Sequence, residues 1–227
     1  MKNLILLILV GWSFNSQLVN AAEKGNWPQW RGPKGDGTAF GEKVTTVWSD
    51  QKNLKWKLRL PGPGASSPII QDNRVYLTCY SGYGVGRGGG NIRNLMRHLI
   101  CVDAVTGKPV WHKYLKPAAA EDAYGGMGVP EHGYATATPT TDGKSIYVFL
   151  GKSGVVAFDL KGNPIWQTNV GTDSSPRRWG SSSSPILYNN LVILNVLQEG
   201  HAIVALNKQN GKKAWSWSPR SFAQYQD

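Results

Sequence analysis

Val102-Asp103-Ala104-Val105-Thr106-Gly107-Lys108-Pro109-Val110-Trp111 decides the fold, because the chain repeats it. Phe158-Asp159-Leu160-Lys161-Gly162-Asn163-Pro164-Ile165-Trp166 is a second copy, and Leu206-Asn207-Lys208-Gln209-Asn210-Gly211-Lys212-Lys213-Ala214-Trp215 is a third. From Trp56, which ends a weaker version, the steps to the next Trp are 55, 55 and 49 residues. A fixed period of that length marks an array of one supersecondary unit, and propeller blades are the main β candidates.

Working outward from the Trp, each unit parses alike. A Ser/Thr-Pro punctuation opens it: Ser67-Pro68, Thr138-Pro139, Ser184-Pro185. First strands follow at Ile69-Ile70, Thr140-Thr141 and Ile186-Leu187, and turns rich in Asp, Asn or Gly lead to second strands at 75–78, 146–150 and 191–194. Third strands at 99–102, 155–158 and 202–206 are nearly continuous apolar runs, as strands covered on both faces should be. An Asp/Asn-x-x-x-Gly turn and a short fourth strand then lead to the Trp. The middle copy is one residue shorter between Asp159 and Gly162, so its turn type is expected to differ. The Trp offers a large apolar face and one N–H donor, which predicts packing against the next blade with the donor on a backbone carbonyl. No helix is expected across residues 140–206.

The Ala/Cys-x-Asp/Asn-x-x-x-Gly-x-x-x-Trp pattern resembles the repeat of the pyrroloquinoline quinone (PQQ)-like β-propellers. Quinoprotein alcohol dehydrogenases and the outer-membrane assembly factor BamB are among its members. Asn26-Trp27-Pro28-Gln29-Trp30-Arg31-Gly32-Pro33, followed by Gly35-Asp36-Gly37, is similar to the opening of secreted bacterial proteins of that group. The resemblance spans residues 26–218 and implies an all-β chain, a partial β-propeller of about three to four four-stranded antiparallel blades. It divides the chain into residues 1–21, an N-terminal segment 22–50, and repeats over 51–227 closed by Trp56, Trp111, Trp166 and Trp215. Rings of seven or eight blades need roughly 350–400 residues, so the chain reads as the N-terminal part of a longer member.

The 227 residues are 41% hydrophobic and 17% charged, enough for a well-cored domain. At the N-terminus Lys2 precedes an apolar run, Leu4 to Val10, and Val19 and Ala21 are small. That pattern reads as a secretory signal peptide cut after Ala21 or Ala22, since the run is far short of the ~20 residues of a span. The net charge of +11 drops to +10 when residues 1–21 leave with their one lysine. The basic residues are scattered, with Arg177-Arg178-Trp179 the one tight pair beside an aromatic, so nucleic acid is not an expected partner.

Candidate chemistry is sparse. Gly84-Val85-Gly86-Arg87-Gly88-Gly89 matches GxGxxG with Asp103 19 residues after Gly84, but the intervening stretch is too short and polar for a crossover helix, and Asp103 belongs to the repeat turn. Cys79 and Cys101, on neighbouring predicted strands, leave a disulfide open, although Cys101 fills the slot held by Ala157 and Ala205. Quinoprotein dehydrogenases resemble one another in adjacent bridged cysteines, calcium ligands and an Asp base. This chain has no Cys-Cys pair, and Glu121, Asp122, Glu131 and Asp173 form no calcium pattern. Glu131-His132 reads as loop, His98, His112 and His201 as isolated histidines, and Ser181–Ser184 as the inter-strand slot rather than a nucleophile elbow.

No catalytic, cofactor-binding or metal residue is assigned. The resemblance implies an exported, periplasmic or extracellular, non-enzymatic scaffold similar in role to BamB, with a protein partner on its loops or strand edges and no cofactor. The alternatives are a PQQ- and calcium-dependent dehydrogenase with its catalytic residues outside this chain, and a cell-wall or carbohydrate binder using Trp179, Tyr124 and Tyr134. N-terminal sequencing of the exported protein is expected to begin at Ala22 or Glu23; a retained Met1 would overturn the cleavage.

Overall fold

The computed structural model describes residues 25–39, 45–85, 89–123, 133–174, 178 and 180–219. Among them stand three four-stranded antiparallel sheets, each built from strands consecutive in sequence. Blade 1 comprises β1 (Ile69–Gln71), β2 (Arg74–Ser81), β3 (Met96–Asp103) and β4 (Pro109–Leu115). Blade 2 comprises β5 (Thr140–Thr141), β6 (Ser145–Phe149), β7 (Val155–Asp159) and β8 (Pro164–Thr168). Blade 3 comprises β9 (Ile186–Tyr188), β10 (Leu191–Val196), β11 (Ala202–Asn207) and β12 (Lys213–Trp217). The sheets stack face to face without closing, which makes the chain a partial β-propeller.

Strand alternation sorts each third strand between two neighbours. Leu99 and Cys101 of β3 meet Ile146, Val148, Val156 and Phe158 of blade 2. Ile100 and Val102, on the opposite face, meet Trp56, Leu58 and Leu60 of the extended segment that precedes β1. Between blades 2 and 3, Tyr147, Val155 and Ala157 pack on Val192, Leu194, Val204 and Leu206. The unbroken apolar runs of β3 and β7 therefore have partners on both sides. All three blades shift register at one place, beside the small residues Cys101, Ala157 and Ala205, where a bulge turns the fourth strand outward.

The indoles lock the stack. Trp56 Nε1 donates to Ala104 O at 2.9 Å, Trp111 Nε1 to Leu160 O at 3.0 Å, and Trp166 Nε1 to Lys208 O at 2.8 Å. Each acceptor is the carbonyl just after the Asp or Asn of the following unit. The turn glycine lies under the same ring: a Cβ on Gly107 would stand 2.5 Å from Trp56 Cγ, and one on Gly211 2.6 Å from Trp166 Cε3. The Asx carboxylate or amide ties the turn itself. Asp103 Oδ1 accepts from the Val105 and Thr106 amides and the Thr106 hydroxyl, Asp159 Oδ1 from the Lys161 and Asn163 amides, and Asn207 Oδ1 from the Gln209 amide. The Thr106 amide and hydroxyl, with Arg74 also bonded to the carboxylate, hold Asp103 down to about 2. As expected of the shorter copy, Gly162 N bonds Asp159 O three residues back, whereas Gly107 and Gly211 reach four residues back to Asp103 and Asn207.

A second relay runs along the first-strand side. Ser67 N donates to Thr138 Oγ1, and Thr138 N donates to Ser184 Oγ, each at 3.0 Å, so the residues before the three prolines hold adjacent blades in register. Segment 26–33 docks beside this relay. Trp27 and Ile70 exchange both backbone hydrogen bonds, and Pro28 O accepts from Thr141 N. The buried first strand Thr140-Thr141 is polar because its hydroxyls are used, Thr140 donating to Pro28 O at 3.4 Å and Thr141 to Ser145 O at 2.7 Å.

Two sequence expectations are corrected, and the disulfide left open by the sequence is decided. β2 and β3 are longer than read, so Arg97 and His98, assigned to a polar insertion, are buried strand residues. A single helical turn, Leu197–Gly200, lies between β10 and β11 where no helix was expected; it is a loop device that interrupts no strand. Cys79 pairs in register with His98 and Cys101 with Tyr76; three positions apart on β2, the partners set the sulfurs on opposite faces, so both are free thiols. Burial raises both thiols, Cys101 to about 11, which keeps them unreactive.

Gly107 and Gly143 have similar left-handed φ angles of 72° and 80°, but the Gly143 position has ordinary space. Gly143→Ala is expected to cost roughly 1–2 kcal/mol, the backbone term alone. Gly107→Ala should exceed that by at least about 1 kcal/mol because the Trp56 ring must move. Urea unfolding of the two variants checks the difference.

Candidate functional site

Polar side chains gather where second strands hand over to third strands and blade hands over to blade. Three of them occupy one repeat position, four residues before the small slot at Cys101, Ala157 and Ala205: Arg97, Ser153 and His201. The loops after β4, β8 and β10 supply their partners.

Arg97 Nη1 pairs with Glu121 Oε1 at 2.9 Å, the two side chains being 4% and 6% exposed. Its Nε donates to Tyr134 O at 2.9 Å. Ser153 Oγ donates to Glu121 Oε1 at 2.9 Å and accepts from Ala118 N at 3.0 Å, tying the loop after β4 to blade 2. A buried ion pair needs such extra hydrogen bonds to offset desolvation, and removing either partner would leave an uncompensated charge.

Lys152 Nζ donates to Asp122 Oδ1 at 3.0 Å and to Ser174 Oγ at 2.6 Å, while Ser174 Oγ donates to Asp122 Oδ1 at 2.9 Å. A serine beside a lysine suggests a nucleophile and its base. Here the ammonium donates to the hydroxyl and is ion-paired, so the trio clamps two loops together. His201 Nε2 pairs with Asp173 Oδ2 at 3.0 Å. Glu199, 3% exposed, accepts from the Ser181 hydroxyl at 2.8 Å. Burial is the main cause raising its pKa, and the Glu121 charge adds to it. The cavity among these groups holds about 30 Å³, room for roughly one water.

The residues named from sequence are placed as follows. Glu121, Asp122 and Asp173 come together here, the first two paired with Arg97 and Lys152 and the third with the His201 imidazole. Tyr134 is not a rim aromatic: it is 5% exposed, packs edge-on to Tyr80 with centroids 5.5 Å apart, and donates its hydroxyl to Asp122 O at 2.7 Å. His98 and His112 are not isolated. On adjacent strands, His112 Nε2 lies 3.0 Å from His98 Nδ1, and His98 Nε2 lies 2.9 Å from Ser81 Oγ. Burial lowers both imidazoles. Gly84 follows a strand paired antiparallel to the next, which is incompatible with the parallel unit of a dinucleotide site. Residues 1–21, Gly86–Gly88, Tyr124, Glu131, His132, Arg177 and Trp179 lie outside the described residues.

The fit to a quinone and its calcium can be tested on donor chemistry. The two cysteines face apart inside apolar clusters, and the acids of this site are committed to Arg97, Lys152, His201 and Ser181. Among the described residues no group of three or more His, Cys, Asp or Glu side chains is placed to hold a metal ion. The described residues do not fit that group. Nor, among them, is any helix long and apolar enough to cross a membrane.

Arg97, Ser153 and Lys152 escaped the sequence reading because each looks like an ordinary strand-end polar residue; alignment of the three copies on the small slot would have exposed the position shared by Arg97, Ser153 and His201, though not Lys152. For Glu199 the raised pKa has a defined sign. The folded state holds the proton more tightly than the unfolded chain, so stability falls as pH rises from the ordinary carboxylate range through the raised value. Glu199→Gln removes that cost. It is expected to melt higher than wild type at pH 7.5, with the gap closing toward pH 4, as calorimetry across pH would show.

A family model described as outer membrane protein assembly factor BamB matches residues 81–224. No curated protein matches the chain. Among solved structures, quinohemoprotein alcohol dehydrogenase from Comamonas testosteroni is 15% identical with a TM-score of 0.44, the match covering 69% of this chain and 21% of that one. BamB from Moraxella catarrhalis is 14% identical with a TM-score of 0.42, covering 72% of this chain and 54% of that one. This chain thus spans about a fifth of the dehydrogenase and about half of that BamB. With more than half of its residues matched by the family model, the chain belongs to the outer membrane protein assembly factor BamB family of PQQ-like propellers.

Proposed function

We propose that the chain belongs to an exported, non-enzymatic propeller that serves as a binding or assembly scaffold. One observation carries the reading: the polar cluster on the loop side is closed upon itself. Its charges pair with one another, and the cavity of about 30 Å³ is an order of magnitude below the ~300–1,000 Å³ of small-molecule sites. Such a cluster fixes the shape of loops, and shaped loops on a rigid propeller are a surface for a protein partner. Family membership supports a role in outer-membrane protein assembly. A signal peptide over residues 1–21 supports export.

The dehydrogenase alternative would require residues outside this chain to supply vicinal cysteines and calcium ligands. Two experiments separate the readings. Deleting the gene in the cell that carries it is expected to lower the β-barrel proteins recovered from the outer membrane, with recovery on re-expression. The full-length protein mixed with PQQ and calcium is expected to leave the quinone absorbance unchanged. Unaltered outer-membrane proteins together with a saturable quinone spectrum would overturn the scaffold.

A further inference from the structure

His98 and His112 face each other beside the segment that leads into blade 1. His98, 2% exposed on β3, sets its Nδ1 3.0 Å from His112 Nε2 on β4 and its Nε2 2.9 Å from Ser81 Oγ on β2. Tyr114 completes the row: it pairs in register with His98, and its ring stacks on His112 with centroids 4.3 Å apart. The same face carries the seat of segment 56–64. Leu58 and Leu60 pack with Cys79 and Ile100, the cross-strand neighbours of His98 and His112. Gly62 N donates to the Cys79 sulfur, and Pro63 O accepts from Tyr80 N at 2.9 Å.

Two imidazoles at this distance share one proton, so one ring donates while the other accepts. The Ser81 hydroxyl suits either arrangement, because it donates or accepts as required. A first extra proton is tolerated. His112 is half-buried, and with that proton on Nδ1 its Nε2–H still donates to His98. A second proton sets N–H against N–H and brings two like charges together across the same 3.0 Å. Nothing nearby offsets them. Among the described residues no carboxylate lies within ion-pair distance of either ring. β2 presents Cys79 and Ser81 and β4 presents Tyr114, while in the covering segment Leu58 and Leu60 turn inward and Lys57 and Arg59 are exposed. Burial pushes both rings below the ordinary imidazole value, and for His98 the His112 charge adds to it.

We propose that the His98–His112 pair is an acid-sensitive latch: sharing one proton it keeps segment 56–64 seated on blade 1, and a second proton parts the rings and lifts that segment away. The seated form refuses a proton that the opened form accepts. Seating is therefore complete above the ordinary imidazole value of 6.5 and weakens as pH falls through it. Each pH unit below that value favours opening by up to about tenfold for the one excluded proton. Glu199, which holds its proton more tightly in the folded state, shifts stability in the opposite sense over the same fall. The latch needs no partner, so it stands apart from the assembly role.

Cys79 and Cys101 report on it, because Cys79 lies under segment 56–64 and Cys101 on the other face of blade 1, against blade 2. The test is labelling of the full-length mature protein with a pyridyl disulfide, which reacts with thiols even in acid. Peptide mass spectrometry gives the rate at each cysteine, divided by its rate in the urea-unfolded chain at the same pH. From about pH 7.5 to about pH 5 the relative rate at Cys79 is expected to rise about tenfold while Cys101 stays shielded. His112→Gln and His112→Phe, the second keeping a ring on Tyr114, should leave Cys79 shielded at both pH values. A flat wild-type rate, an equal rise at both cysteines, or an acid rise retained in either variant would overturn the latch. So would exposure of Cys79 at neutral pH in both variants, because the pair would then serve structure alone.

Discussion

An indole N–H given to the carbonyl one residue past an Asx sets the spacing of this molecule. The bond alone is worth only about 1 kcal/mol net. Its force comes from what must be true for it to form. The turn has to present that carbonyl toward the preceding blade, which the Asx side chain ensures by capping the turn amides. The ring has to lie flat on the turn, which only a residue without Cβ allows at Gly107, Gly162 and Gly211. The Trp has to sit within the fourth strand opposite the small slot, beside the register shift. Four residue choices therefore serve one contact, and the contact sets blade against blade. Trp215 carries the same chemistry and is 42% exposed among the described residues, so the outer face of blade 3 retains the surface that its predecessors use for stacking.

Polar chemistry obeys the same repeat. The strand position that holds Leu99, Val155 and Ile203 in the apolar layer becomes Arg97, Ser153 and His201 two residues earlier, where the strand emerges from the stack. Arg97 reaches that level from within β3, Ser153 from the end of a 3-10 turn and His201 from the cap of a helical turn, so three unrelated residue types meet at one repeat position. Arg97 and Lys152 then organise the connecting loops by charge, while Ser67, Thr138 and Ser184 hold the first-strand side through neutral hydrogen bonds. Apolar stacking supplies most of the stabilisation. The polar sets decide registry, since each leaves a buried group unsatisfied if a blade slips.

The sequence made the architecture legible because the Trp, Gly and Asx of each copy are spaced by backbone geometry, and geometry repeats. The order of the strands, the altered turn at Gly162 and the destination of the indole protons all followed from that spacing. What stayed hidden depends on contacts between distant residues. Nothing local to His98 announces His112, because the pairing comes from register across β3 and β4. Tyr134 looked like a surface aromatic beside a glycine-rich stretch, yet Gly133 and Tyr134 pack on Tyr80. Glu199 sits in a helical turn that no periodicity of four residues could reveal. The disulfide stayed open because two cysteines on neighbouring strands satisfy spacing while facing opposite ways, and only the register with Tyr76 and His98 tells these apart.

The docking of Trp27 and Pro28 has a consequence for how the chain must assemble. Pro28 accepts the Thr140 hydroxyl at a separation of 112 residues, and Trp27 shares its backbone bonds with Ile70. Chain order puts this segment ahead of every blade as the polypeptide emerges, yet its seat comes into being only once two blades have been made and stacked. Contacts of such long sequence separation form late, after the loop between them has been closed. The first residues to appear would thus be among the last to settle, and until they do, the edges of β1 and β5 lie open to any extended segment that meets them.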